Sequence, residues 1–500
     1  MRKLIAALLI AAGVVTTQAA NPIATRGADI SWCTEMEAEG LTFKNADGQA
    51  TDLFPLMGQL GVNAVRLRVW VNPTRLGYGA WCDKADVLAK AKRAKAQGFD
   101  LMIDFHYSDI FADPGTQSLP LDWEGLSLDE VKAALAAHTV DVLQALKDEG
   151  IEPKWVQVGN ETNNGMSWEA GRIDWNKYGN LRYANYVTLS NAGYQAVKSV
   201  FPEASVIVHV AGVVNAEWFF LEFKAAGGKF DIMGVSHYPS ETAWSSLTDD
   251  GANIRAAEVI KKVSAQQGVP VMVCETGFPQ HNPDKAALVM RDLFWQLKDV
   301  EACAGVFYWE PEVDGQWKPP YYYEQDWGAY RKGAFSSDFK PLATLNAFAA
   351  DADYTAAPVP TKLAIYDKDR EKVLAHLSPV AGKEGVFSGY LSVEEAWLNF
   401  QIADEENGIW YGSDPEGADV VSKEEDHWNF WINGSTLGVY VITIDLNTMR
   451  WSQAVDESGV TDIKVDDKNT DGPRYNMLGQ PVTDDYQGIV LQRGHKTLKR

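Results

Sequence analysis

Eight short apolar runs, each followed by a stretch of helical periodicity, constrain this chain more than any other feature. The runs are RGADISW (26–32), NAVRLRVW (63–70), DLMIDFHY (100–107), KWVQVGNE (154–161), SVIVHVAG (205–212), DIMGVSHY (231–238), PVMVCETG (270–277) and GVFYWEP (305–311). Between them lie segments such as ADVLAKAKRAKAQG (85–98) and LDEVKAALAAHTVDVLQALKDEG (128–150), whose apolar residues recur at helical spacing. Eight strand–helix units predict an α/β fold, a (β/α)8 TIM barrel over residues 20–350. Runs this apolar fit parallel strands buried on both faces.

Nearly every run turns polar or aromatic at its C-terminal end: Asp29 and Trp32, Arg66 and Arg68, His106 and Tyr107, Asn160 and Glu161, His237 and Tyr238, Glu275, Trp309 and Glu310. In a barrel of this kind the C-terminal rim is where sites are built. Solvent begins at strand ends, which accounts for one or two such residues but not for seven strands. Glu161 ends the fourth run and Glu275 the seventh, so the barrel sets them across its mouth from each other. Two facing carboxyl groups are what glycoside hydrolysis requires: one donates a proton to the leaving oxygen, the other attacks the anomeric carbon or activates a water. Arg66 on the second run is placed to hold Glu275 ionised. Asn160 can hydrogen-bond a sugar hydroxyl, His237 and Tyr238 can orient Glu275 or meet the sugar, and Trp309 can form a stacking floor. Asp104 and His106, at the end of the third run, belong to the same supporting or substrate-contacting set.

The N-terminus, MRKLIAALLIAAGVVTTQAANP, has a basic start, an apolar stretch too short to span a bilayer, and small residues at Thr17-Gln18-Ala19. It reads as a signal peptide over residues 1–19, implying a periplasmic, cell-surface or extracellular protein. No other segment reads as transmembrane. Export permits disulfides; among the four cysteines, Cys33 and Cys82 each follow a Trp in a loop and are the favoured pair, while Cys274 reads as a buried free thiol. With 45 basic against 68 acidic residues the net charge is −23, which argues against nucleic acid or an anionic membrane as partner. The chain is expected to act as a monomer.

Residues 351–362 read as an Ala/Pro linker, and 363–465 as an all-β, sandwich-like accessory domain with alternating patterns. Residues 466–500 read as a small β appendage. The stretch HWNFWINGSTLGVYVITIDLNTM (427–449) loosely resembles starch-binding modules of glycan-utilising bacteria. Trp397, Trp410, Trp428 and Trp431 are read as core rather than as a sugar platform, because W-x-F-x-I alternation buries one face.

The barrel resembles glycoside hydrolase family 53, the endo-β-1,4-galactanases of clan A. The resemblance rests on GADISW (27–32), VRLRVWVNP (65–73), DFHYSDIFADP (104–114), QVGNETNNGM (157–166), SHYP (236–239), ETGFP (275–279) and YWEP (308–311), in family order. It implies that Glu161 is the acid/base and Glu275 the nucleophile of a retaining mechanism. The implied substrate is the β-1,4-galactan of type I pectic arabinogalactan, cut at internal bonds without an organic cofactor. Some bacterial members bind a structural calcium in an Asp-rich loop after strand seven. Here that loop is short, ETGFPQHNPDKAAL; Ser337 and Asp338 read as remnants of such a site without its Asp-x-Asp partners, so no calcium or other metal is expected. Two other readings stay open: a clan A hydrolase acting on mannan, xylan or glucan, and a glycan-binding protein without catalysis.

Overall fold

The structure, a computed structural model, describes residues 23–239 and 252–349 (282 and 299 excepted), most of 360–456, and short stretches of 474–499. The expected signal peptide (1–19), most of the linker and much of the C-terminal appendage lie outside the described residues.

The eight runs form β1 (Arg26–Asp29), β2 (Ala64–Val69), β3 (Asp100–Phe105), β4 (Trp155–Val158), β5 (Ser205–Ala211), β6 (Ile232–His237), β7 (Val271–Thr276) and β8 (Cys303–Trp309), bonded in that order into a closed barrel. The intervening helices include Lys84–Ala96, Leu128–Asp148, Ala184–Val200 and Pro283–Leu297. Their starts are chemically marked. Asp83 accepts from the Asp86 N–H at 2.9 Å, and Ser127 with Glu130 forms a capping box.

The two-residue period of a strand explains how an apolar barrel carries a polar mouth. One interior layer holds Ala64, Met102, Trp155, Ile207, Met272 and Phe307, all buried. Two residues further along the same strands stand Arg66, Asp104, Gln157, His209 and Trp309. The lower layer is closed by contact: a Cβ at Gly27 would lie 2.2 Å from the Phe307 ring. Only glycine leaves room there for the aromatic plug.

All four cysteines are free thiols, which corrects the expected Cys33–Cys82 bridge. Cys33 opens the helix Cys33–Ala38, and the Cys82 sulfur faces the Ser31 carbonyl and the Lys90 ammonium, each at 3.8 Å. Lys90 is itself buried and paired with Asp86 at 2.7 Å. Burial raises both thiol pKa values, that of Cys82 to about 11, so both stay protonated at neutral pH. Cys274 is a buried free thiol of the barrel interior, as expected.

The C-terminal domain is an antiparallel sheet of β9 (Leu363–Asp367), β10 (Val373–Pro379), β11 (Val386–Val393), β12 (Trp397–Asp404), β13 (Ile409–Asp414), β14 (Gly417–Ser422), β15 (Phe430–Asn433), β16 (Gly438–Asp445) and β17 (Arg450–Val455). Strand β9 bonds both β10 and β12, so the sheet folds back around one core that includes Ile365, Phe400, Phe430, Ile442 and Trp451. The appendage contributes a three-stranded antiparallel sheet, Arg474–Asn476, Gly488–Gln492 and His495–Lys499.

The tryptophans expected in this core are not there. Trp397 and Trp428 are 53% and 55% exposed. Trp431 is half-buried and alternates with buried Phe430 and Ile432, which places it on the outer face. Trp410 is partly covered, with the Arg370 guanidinium 4.6 Å from its ring centre and Tyr366 at 5.0 Å. The alternation does bury one face, but Phe and Ile fill it.

Replacing Gly27 with Ala should destabilise the barrel by about 1–3 kcal/mol, because the Phe307 ring must move off its packed position. Urea unfolding followed by tryptophan fluorescence measures it; an unchanged midpoint contradicts the packing described.

Candidate active site

Arg66 occupies the centre of the polar layer and is fully buried. Its guanidinium meets Asp29 of β1 at 2.8 Å, Asp104 of β3 at 2.8 Å and Glu275 of β7 at 3.0 Å. It also donates to the Asn160 side-chain oxygen at 2.8 Å and to Gln157 at 3.2 Å. Burial opposes its charge, yet three carboxylates hold its pKa above the usual arginine value. Burial likewise pushes Asp104 up, but Arg66 and His106 outweigh it and keep that carboxyl below its ordinary value.

His106 illustrates how the layer fixes tautomers. Its Nε2 lies 3.0 Å from Asp104, and its Nδ1 accepts from the Ala112 N–H at 2.9 Å. The proton therefore sits on Nε2, and a second proton would face the amide donor. Burial lowers the His106 pKa despite Asp104, so the ring is neutral at neutral pH.

Glu161 lies three residues beyond β4 with φ of 45°, the left-handed region that non-glycine residues rarely adopt. The conformation is held from both sides. The Thr162 N–H and hydroxyl both donate to the His209 carbonyl, at 2.8 and 3.0 Å, and Gln117 donates to the Asn160 carbonyl at 2.8 Å. A non-glycine residue in such a conformation, over-determined by its surroundings, is characteristic of functional sites.

The Glu161 carboxyl is buried and accepts from the Ser236 hydroxyl at 2.6 Å. Ser236 is in turn 2.9 Å from His209 Nε2. The Asn160 oxygen, the Gln157 amide and the Glu161 N–H all face His209 Nδ1, at 3.0, 3.1 and 3.4 Å; because the Ser236 hydroxyl hydrogen goes to Glu161, the Ser236 contact at Nε2 is donated by the ring. Burial, then Arg66, push the His209 pKa well down, so it is neutral. A chain of donors thus runs from His209 through Ser236 to Glu161. Burial and then the charge of Glu275 push the Glu161 pKa well up.

One carboxyl oxygen of Glu161, one of Glu275 and a ring nitrogen of His209 lie within 4.8 Å of one another, the one such group that could ligate a metal among the described residues. One oxygen of each carboxyl is already bonded, to Ser236 and to Arg66, and the adjacent guanidinium opposes a second cation. Asp338, read as a calcium-site remnant, bonds Ser336 at 2.6 Å and pairs with Lys340 at 3.1 Å.

The structure brings Arg66, Asp104, His106, Asn160, Glu161 and Glu275 into one network and sets the others at its margin. The Asn160 oxygen is taken by Arg66 and one amide hydrogen by the Ala112 carbonyl at 2.8 Å, so it pins the site and keeps one hydrogen for a ligand. His237 is buried and turned to Asn253 at 2.9 Å, and burial lowers its pKa to about 4. Tyr238 is half-buried, one residue past β6. Trp309 is partly exposed and packs on Tyr330 and Trp32, with ring centres 4.5 and 5.4 Å away. Sequence reasoning missed Ser236, His209 and Gln157. The available signal was polar residues at alternate positions inside otherwise apolar strands.

This is the site of a glycosidase. A family model described as glycosyl hydrolase family 53 matches residues 25–348, and the chain belongs to that family. A second model, a domain of unknown function (DUF5111), matches residues 360–455. Among relatives, an arabinogalactan endo-β-1,4-galactanase of Cellvibrio japonicus is 32% identical over 61% of this chain and 85% of its own length. An endo-β-1,4-galactanase of Bacillus subtilis is 32% identical over 57% and 69%. A fungal β-1,4-galactanase structure superposes with a TM-score of 0.55 at 25% identity, over 65% of this chain and 99% of that one. The family 53 catalytic domain of Ignisphaera aggregans gives 0.55 at 27% identity, over 67% and 97%.

Replacing Arg66 with Met should cost about 3–5 kcal/mol of stability, since it strands buried carboxylates without their cation. Thermal unfolding at neutral pH checks this, and partial recovery at acidic pH, where the carboxyls protonate, is the accompanying signature. The Ser236 hydroxyl lowers the Glu161 pKa, so Ser236→Ala should raise it further. If Glu161 is the proton donor proposed below, the alkaline limb of the activity–pH profile should then move up; an unmoved limb refutes the contact's role.

Proposed function

We propose that this chain is an exported endo-β-1,4-galactanase that cleaves galactan with retention of configuration. The observation carrying the mechanism is the approach of a Glu161 oxygen to a Glu275 oxygen within 4.8 Å. Retaining glycosidases need their two carboxyl groups about 5–5.5 Å apart, whereas inverting ones leave room for a water at about 6.5–9.5 Å. Export rests on the basic, apolar and small-residue order of the N-terminus. The galactan reading is supported by family membership and by the activities in the relatives' names.

The two carboxyls divide their roles by environment. Glu275 pairs with Arg66, and an ion pair keeps it charged and nucleophilic. Glu161 is buried beside that charge and holds a proton. Because Ser236 donates to Oε1, the proton is directed to Oε2. Glu161 gives it to the leaving O4 as a Glu275 oxygen bonds to C1 and the C1–O4 bond breaks. A water then enters, Glu161 takes its proton, and the new C1–O bond releases Glu275. The partly exposed face of Trp309 is suited to carry a pyranose beside the reacting carbons.

Glu161→Ala should lower kcat on linear galactan by about 10²–10⁴-fold, with azide restoring part of it as a β-glycosyl azide. Glu275→Ala should be inactive, with azide giving the α-glycosyl product. NMR of the first wild-type products should show the β-anomer, and chromatography should show internal cleavage into mixed oligosaccharides. A first-formed α-anomer rejects retention. Turnover of mannan, xylan or glucan but not galactan rejects the substrate.

A further inference from the structure

The outer face of the C-terminal domain carries a groove that the active site does not use. Strand alternation sends Leu398, Phe400 and Ile402 of β12 inward and turns Trp397, Asn399 and Gln401 outward. On β15 it turns Trp431 outward opposite Asn399. With His427, Trp428 and Asn429 these residues line a shallow, open groove of about 650 Å³. Along β12 the row from Trp397 to Gln401 extends roughly 13 Å at ordinary strand rise, longer than one sugar ring.

Three features select the ligand. Among the described residues the lining contains no Asp, Glu, Lys or Arg, although the chain carries 68 acidic and 45 basic residues. The Arg370 guanidinium beside it is already bonded to Gln401 and faces His427 at 3.5 Å. Two of the polar groups are amides held in place: Arg370 donates to the Gln401 oxygen at 2.7 Å, and Gln401 donates to Asn429 at 2.8 Å. That relay orients Asn429 and leaves its own N–H₂ group without a protein partner among the described residues. Lastly, Trp397 and Trp428 keep about half their surface in water. Exposed indole faces beside fixed amides match a ligand with apolar C–H faces and neutral hydroxyls.

We propose that this groove binds a neutral pyranose polysaccharide, stacked on Trp397, Trp428 and Trp431 and hydrogen-bonded by Asn399 and Asn429. That the chain bound is galactan rests on the reading of the barrel given above; the groove assignment does not. Binding there would hold the enzyme on insoluble substrate while the barrel turns over.

The test uses the full chain carrying Glu275→Gln, with and without Trp397→Ala and Trp431→Ala. Calorimetry with galacto-oligosaccharides should give two sites per chain in the parent and one in the tryptophan variant. Affinity electrophoresis in gels containing linear galactan should show at least a tenfold loss of retention. Wild-type and Trp397→Ala/Trp431→Ala chains with Glu275 intact should hydrolyse soluble oligosaccharides at the same rate. A single site in the parent, or retention unaffected by the tryptophans, overturns the proposal. So does a dimer in sedimentation that the tryptophan substitutions dissociate, which would give the groove to a second copy. Tryptophan-dependent retention on mannan, xylan or starch gels, with galactan neither held nor cut, would uphold the groove and reject the galactanase reading.

Discussion

The active end of this barrel depends on one buried cation. Arg66 stands where β1, β2, β3, β4 and β7 converge, and its five N–H donors are divided among three carboxylates and two amide oxygens. Taking a guanidinium out of water is expensive, and so is burying each carboxylate; the cluster persists because each charge offsets the others. The consequence for chemistry is an asymmetry. Glu275 shares the cation directly, while Glu161 reaches its field only weakly and is dominated by burial and by Glu275 itself. Identical side chains thereby sit in different electrostatic surroundings within 4.8 Å.

A second group of residues sets where the acid points. His209, Ser236 and Gln157 all come from strand interiors, which pack more rigidly than loops. Their hydrogen bonds have a defined direction because the Ser236 hydroxyl, having given its hydrogen to Glu161, can only accept from His209 Nε2.

Much of this was legible in the sequence. The eight strands appear within a few residues of their expected bounds, because runs buried on both faces have few alternatives. Glu161, Glu275 and Arg66 were legible as polar residues terminating or interrupting such runs. Ser236 and His209 were not singled out, since a lone polar residue in a strand is indistinguishable from a satisfied core residue until its neighbours across the barrel are known. The Cys33–Cys82 pairing failed because proximity to similar loops says nothing of the local charge, and Lys90 with Asp86 occupies that region. The tryptophans of the β domain were misplaced because alternation gives a period but not a phase: it predicts that one face is buried, not whether Trp431 or Phe430 belongs to it.

The left-handed turn at Glu161 has an implication for how such an enzyme can diversify. The peptide following the acid is clamped by two bonds from Thr162 to the backbone of β5, and backbone oxygens do not change when side chains mutate. The segment beyond Trp168, whose N–H holds Gln117, can therefore lengthen, shorten or exchange its aromatic residues without displacing Glu161. Selection is free to remodel the walls that grip a polysaccharide while the reacting groups stay anchored to the scaffold.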